Sequence, residues 1–243
     1  MSCLKDTRMH STITLNDVRE AINNLSTGKA VGFDSIPSEM FKTGVNTALS
    51  VVVAWLMDAM WSIGHISSSF NISLITPIPK PGKAHNDFRP ISVSTSLATI
   101  FEEIVRHKIC LNISSNQFGF KPNTSTKHAF FVVRETLEHY KRGGSYCWAA
   151  SLDATKAFDR LWRDGLFVKL MNKIPDVVWR ALYLYYSISK AAVRSSEGIS
   201  QIFRIEEGVK QGGVISPIFF NFFLNDLLNE CIEADLGARV YDV

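Results

Sequence analysis

The sequence predicts an α+β domain, on three observations. Helical spacing of apolar residues dominates the first quarter and recurs throughout. β-rich runs appear at residues 72–80 and as a hairpin pair between 191 and 205. With 46% apolar and 20% charged residues, the 243-residue chain reads as globular, as one large or two small domains with a substantial core.

Residues 1–13 are polar and featureless and predict a disordered N-terminal end. Thr14 followed by Asp17 resembles a capping box, and Leu15, Val18, Ile22 and Leu25 then fall on one helical face. Gly28 ends that helix, Lys29 to Pro37 is a loop, and Ser38 begins a short helix. A long apolar helix, roughly Thr47 to Ile63, closes at Gly64; interrupted by Asp58, it is too short to span a bilayer and reads as a core helix. Ile72 to Lys80 is β-rich, with Pro77 and Pro79 confined to positions whose N–H needs no partner. After the Pro81-Gly82-Lys83 turn comes Phe88-Arg89-Pro90-Ile91-Ser92. Lys80 and Arg89, at the ends of adjoining extended segments, can cradle a polyphosphate, although Arg89 could equally pair with an acid at the core edge.

Leu97–Ile109 and Lys127–Lys141 have helical spacing. Between them Asn116 to Thr126 forms a basic, hydroxyl-rich loop suited to a phosphodiester backbone; the alternative is a turn pinned in the core by Phe118 and Phe120. Next, the apolar run from Cys147 predicts a strand ending at Asp153, with Lys156, Phe158 and Asp159 at the start of a following helix. A carboxylate at a strand end can hold a hard cation, or it can simply cap the helix. Leu161–Lys173 and Asp176–Ile188 read as helices broken at Pro175. Ala191–Arg194 and Gln201–Ile205 read as the hairpin, and the glycine-rich turn Glu207 to Pro217 precedes an apolar helix, Ile218 to Ile232.

The net charge of +3 is too small to establish a nucleic-acid partner, although basic residues cluster between Lys80 and Lys127. The cysteines, Cys3, Cys110, Cys147 and Cys231, form no Cys-x-x-Cys pair, which indicates neither a zinc site nor a disulfide framework. An intracellular setting without a membrane partner is expected, with nucleus and cytoplasm not distinguished.

The segments Lys29-Ala-x-Gly-x-Asp34, Ile78-Pro-Lys-Pro-Gly-Lys83 with Phe88-Arg-Pro-Ile-Ser92, Gln117-Phe-Gly-Phe-Lys-Pro122 with Ser125-Thr126, Asp153-x-x-Lys-Ala-Phe-Asp159 and Gly208-Val-Lys-Gln-Gly-Gly-Val-Ile-Ser-Pro217 follow one another in this order. Together they resemble the reverse transcriptase domain of non-LTR retrotransposons. The resemblance implies a right-hand polymerase fold, with residues 14–145 as fingers and 146–243 as a partial palm. It implies copying of an RNA template from a DNA primer with dNTPs and two Mg2+ ions. By the same resemblance Asp153 is the catalytic acid and, with the Ala154 carbonyl, the metal ligand. Phe158 is a steric gate against the ribose 2′-hydroxyl. Gln211 and Gly212 lie against the incoming nucleotide, Lys80 and Arg89 hold its triphosphate, and Gln117, Lys121, Ser125 and Thr126 follow template and primer.

The family's second acidic motif, Tyr-x-Asp-Asp, does not occur in the sequence; Tyr241-Asp242 lacks the adjacent acid. The expectation is therefore an inactive fragment with an incomplete palm and no thumb, an endonuclease domain lying elsewhere in the full-length protein. The alternative is a catalytically dead remnant that binds RNA or an RNA–DNA hybrid.

Overall fold

The computed structural model describes residues 12–82, 88–235 and 237–238. Expectations for residues 1–11, Lys83 and Tyr241-Asp242 lie outside the described residues. In chain order the elements are α1 (Leu15–Asn24), α2 (Ser38–Thr43), α3 (Ala48–Ile63), β1 (Ile72–Pro79), β2 (Phe88–Val93), α4 (Ser96–Lys108) and α5 (Thr126–Arg142), then α6 (Arg163–Leu170), α7 (Asp176–Ser187), β3 (Lys190–Ser195), β4 (Gly198–Ile199), β5 (Phe203–Arg204) and α8 (Ser216–Glu233). This is a mixed helix-and-strand chain, as expected. It divides into two compact units, each discontinuous in sequence. The first holds the described residues up to Leu111 together with Phe158–Ser216; the second holds Asn112–Ala157 and the described residues from Pro217 onward.

In the first unit local chemistry sets the helix ends. Thr14 and Asp17 form the capping box of α1, the Asp17 carboxylate accepting from the Thr14 N–H at 2.8 Å. Thr47 caps α3 by accepting from the Leu49 N–H, and Gly64, left-handed at φ 69°, closes it. The expectation that α3 is a core helix holds for one stripe only. Val53, Met57, Met60 and Trp61 are buried, whereas Val51, Val52, Trp55 and Ile63 are exposed. Apolar composition alone does not say how much of a helix a neighbour covers.

β1 is antiparallel to β2 and parallel to β3, and β3 pairs antiparallel with β4 and β5. Only Ile72–Ile75 of β1 pair with β3, so Pro77 and Pro79 lie beyond that ladder, where a missing N–H leaves no gap. Pro90 faces Pro77 across the edge strand β2. The hairpin expected between 191 and 205 is present, with β3 at its centre.

The core of this unit centres on Phe101 of α4. Its ring lies 4.9 Å from Tyr185 of α7, 5.9 Å from Phe70 and 6.2 Å from Trp61 of α3, tilted or edge-on, which ties α3, α4 and α7 together.

Three expectations are corrected. Residues 147–153 form no strand, and Trp148 and Leu152 are 93% and 95% exposed. A strand needs a partner for its N–H and C=O groups, and none of the described residues pairs with this segment. No helix begins at Asp153 either: residues 155–160 are turns and α6 starts at Arg163, which removes the helix-capping alternative. Among the described residues Cys110 is disulfide-bonded and Cys147 and Cys231 are free, where the sequence indicates no disulfide framework.

In the second unit α5 has helical spacing but buries no residue, and Phe130, Phe131 and Val133 are exposed. No helix among the described residues is long and apolar enough to cross a membrane.

Replacing Phe101 by Ala should destabilise the protein by about 3–5 kcal/mol, the usual cost of emptying an aromatic core site. Urea denaturation followed by tryptophan fluorescence checks this.

Candidate functional site

The glycine-rich segment from Gly208 to Ser216 is a turn held from three sides within the first unit. On one side it meets the segment that leads into α6. The Gly208 N–H donates to the Leu161 carbonyl at 3.0 Å and the Val209 N–H to the Phe158 carbonyl at 2.7 Å. Gly208 is left-handed, φ 74°, and a Cβ there would collide with the Asp159 carbonyl. Arg163 of α6 locks the same corner, donating to the carbonyls of Gly208 at 2.6 Å, Ile205 at 2.6 Å and Tyr186 at 3.1 Å. Burial lowers the Arg163 pKa, opposed by Tyr186 and Glu207.

On the second side the loop meets β2. The Ser92 N–H donates to the Gln211 carbonyl at 2.8 Å, and a Cβ on Gly212, φ 116°, would lie 2.8 Å from the Ser92 carbonyl oxygen. Gly212 does permit the close backbone approach that the sequence suggests, but the surface approached is the protein's own strand.

On the third side lies buried Glu102 of α4, 1% exposed. One carboxylate oxygen accepts from the Val214 N–H at 2.6 Å, and the other accepts from the Tyr185 hydroxyl at 2.8 Å. Lys210, 5% exposed, places its ammonium 3.9 Å from Glu102 and donates to the Tyr185 hydroxyl at 3.0 Å, to Ser94 at 3.3 Å and to the Asn71 side-chain oxygen. Burial pushes Lys210 down to about 8, Glu102 pulling it up and Arg163 pushing it further down. Burial, with Glu102 adding to it, raises the Tyr185 phenol well above its ordinary range.

Gln211, flanked by these braces, donates its side-chain N–H to both oxygens of Asp159 at 3.0 and 3.1 Å. Asp159, Gln211, Ser92 and Pro90 help line a cavity of about 230 Å³. On the far side of Gly212, a cavity of about 490 Å³ is lined in part by Lys29 and Gly32 of the first sequence motif, with Glu102 and Glu103.

The β1–β2 hairpin carries Lys80 and Arg89. Arg89 pairs with Ile78, and Lys80 follows β1 directly, so pleat alternation assigns both to one sheet face at a diagonal of about 7–8 Å. Arg89 is exposed. The first unit therefore contains Lys80, Arg89, Phe158, Gln211 and Gly212.

The other candidate residues belong to the second unit. Asp153 and Ala154 are exposed, in the segment without a strand. Gln117 donates to Asn221 of α8 at 2.7 Å, and Asn221 returns a bond to the Gly119 carbonyl at 2.8 Å. Lys121 donates to the Ser114 carbonyl at 3.1 Å. Ser125 precedes α5 without a side-chain cap. An open cavity of about 480 Å³ is lined by Gln117, Phe118, Phe120, Ser125 and Thr126 among others. Of the two aromatics that the alternative pins in a core, Phe120 is 64% exposed and Phe118 is half-buried.

Sequence reasoning missed Glu102, Lys210, Arg163 and the role of Asp159. Glu102 stands in α4 between apolar neighbours, which is a signal only once the helix face is known. Lys210 and Asp159 lie inside motifs that were read for other residues.

The family described as reverse transcriptase (RNA-dependent DNA polymerase) matches residues 78–241. The chain is 27% identical over 220 residues to the probable RNA-directed DNA polymerase from transposon X-element of Drosophila melanogaster, covering 87% of this chain and 24% of that protein. It is 28% identical over 228 residues to the corresponding protein from transposon BS of the same organism, covering 88% and 25%. To the RNA-directed DNA polymerase from mobile element jockey of Drosophila funebris it is 27% identical over 228 residues, covering 90% and 25%. The chain belongs to the reverse transcriptase family, and it spans about a quarter of the length of these relatives.

Lys210 yields a pH signature. Between about pH 8 and its ordinary 10.5, Lys210 is less protonated in the folded than in the unfolded chain, so its contribution to stability rises with pH across that window. Stability measured from pH 8 to 10 should therefore rise more steeply in the native protein than in Lys210→Met. Equal slopes would contradict the buried environment assigned to this amine.

Proposed function

We propose that this chain is the reverse transcriptase domain of a non-LTR retrotransposon protein and that it serves RNA-directed DNA synthesis, joining dNTPs to a primer 3′ end on an RNA template. The observation that carries the reading is the junction in the first unit where the Phe158 carbonyl accepts from Val209 and Asp159 binds Gln211. It fastens the proposed gate segment to the proposed nucleotide-contacting glutamine. Lys80 and Arg89, sharing one face of the hairpin, are suited to a triphosphate.

In this reading residues 14–145 act as fingers and the remainder as part of a palm, while Gln117, Lys121, Ser125 and Thr126 follow template and primer. The bonds of Gln117 to Asn221 and of Lys121 to Ser114 hold the loop's shape, so these side chains position it as much as they contact nucleic acid. An endonuclease would be carried by another part of such a protein.

Magnesium is the metal that the reading calls for. Asp153 and the Ala154 carbonyl are hard oxygen donors of the right type. Among the described residues no group of three or more His, Cys, Asp or Glu side chains is placed to hold a metal, so the donor set is incomplete there. When bound, magnesium would lower the pKa of the primer hydroxyl and offset phosphate charge. This chain's residues would bind and orient the nucleotide.

Two substitutions test the assignment in a chain carrying residues 1–243 together with a Tyr-x-Asp-Asp hairpin. Asp153→Ala should abolish primer extension and change template–primer affinity by less than about 2-fold, since a metal ligand acts on the chemistry and not on phosphate binding. Equal loss of both would count against the metal role. Phe158→Ala should admit ribonucleotides that the parent rejects, and unchanged sugar discrimination would remove the gate. Salt-dependent RNA binding without extension would favour the binding-only alternative.

A further inference from the structure

The side-chain orientation of Gln211 is fixed by a second side chain, and that side chain is an acid. A carboxylate only accepts hydrogen bonds, so the group facing Asp159 must be the amide nitrogen, which lies 3.0 and 3.1 Å from the two oxygens. The amide oxygen is thereby turned away from Asp159, and among the described residues it takes no hydrogen bond. Resting on the polymerase reading, we infer that Asp159 is the positioning residue of the nucleotide site: it holds Gln211 so that the amide oxygen, an acceptor, meets a donor on the incoming nucleotide, a sugar hydroxyl or a base amino group.

Three features support this over a simple surface contact. Asp159 is itself placed by backbone pairing, because the bonds from Val209 to Phe158 and from Gly208 to Leu161 bracket it. The Gln211 backbone is fixed independently by Ser92, which leaves side-chain rotation as the freedom that Asp159 removes. Both side chains line the same cavity of about 230 Å³, next to the sheet whose hairpin carries Arg89.

The acid does more than fill space. A glutamine without that partner can present either its oxygen or its nitrogen, and only one of these suits a donor on the ligand. Removing Asp159 therefore weakens nucleotide binding by loosening Gln211, without removing any atom that touches the nucleotide.

The test uses the 243-residue chain with a DNA primer annealed to an RNA template and measures dGTP affinity opposite a template C. Asp159→Ala should weaken dGTP by about 10-fold, the size of one lost charge-assisted hydrogen bond. Asp159→Asn, which donates as well as accepts and so no longer dictates that the amide nitrogen of Gln211 faces it, should weaken dGTP by about 3-fold or more. On a Gln211→Ala background, Asp159→Ala should add less than about 2-fold. A second readout needs no nucleotide: the side-chain amide protons of Gln211, followed by 15N NMR, should be protected from exchange in the parent and lose protection in Asp159→Ala. Protection lost without any effect on a measurable dGTP affinity would overturn the inference. So would an equal effect of Asp159→Ala with and without Gln211. A parent that protects Gln211 but binds no dGTP would overturn the nucleotide role and leave only the side-chain orientation standing, while the polymerase reading is judged on primer extension by the chain that carries the Tyr-x-Asp-Asp hairpin.

Discussion

The first unit depends on one buried carboxylate. Glu102 lies inside α4 with 1% of its surface exposed, and such a charge is tolerable only if its oxygens are filled. They are filled by groups from two other parts of the chain: the Val214 N–H of the glycine-rich turn and the Tyr185 hydroxyl of α7, with the Lys210 ammonium 3.9 Å away. The turn is thus held by the same residue that completes the aromatic core, since Tyr185 also packs on Phe101. Loss of the carboxylate would leave the Val214 N–H without its acceptor and the Lys210 ammonium, still bonded to Tyr185, Ser94 and Asn71, without its counter-charge, whereas apolar truncations elsewhere leave only space.

A turn fastened in this way can place a side chain accurately, and the glycines show where the constraint falls. Gly208 and Gly212 are left-handed, and each brings backbone against backbone, of Asp159 and of Ser92 respectively. Arg163 then occupies the carbonyls that the turn would otherwise leave exposed inside the unit. The outcome is a loop in which Gln211 has its main chain fixed by β2 and its amide fixed by Asp159. Precision of this kind costs stability through buried charge and is useful chiefly where a ligand must be met in one orientation.

Much of this architecture was legible in the sequence where a local rule governs it. Thr14 with Asp17, Thr47, Gly64 and Pro175 mark helix ends by their own hydrogen-bonding or torsional chemistry, and the helices follow. Pro77 and Pro79 mark strand positions whose N–H needs no partner, and both lie beyond the β1–β3 ladder. What was not legible depends on partners distant in sequence. Trp148, Leu152 and Asp153 have the composition of a strand, but strand formation is a property of a pair. Val51 and Trp55 are as apolar as Val53 and Met57, and only the position of other elements decides which set is buried. Glu102 was invisible for the same reason, as an acid in a helix normally faces water. The motifs named Gln211 and Asp159 together, but their mutual bond spans 52 positions and follows from the turn's geometry.

The two candidate groups that matter most for chemistry are therefore in different physical situations. Gln211 is over-determined: β2, Asp159 and the Glu102 network each restrict it, so removing one brace should shift its orientation before it unfolds the loop. Asp153 is under-determined among the described residues, because the segment that carries it has neither ladder bonds nor buried side chains to hold it. A carboxylate in that situation can bind a cation only weakly, since ordering the backbone must be paid from the binding energy. For Asp153 to serve as a metal ligand, residues 147–153 must gain a pairing strand, whose arrival would bury Leu152 and Trp148 and turn the segment into the rigid element that a metal site needs.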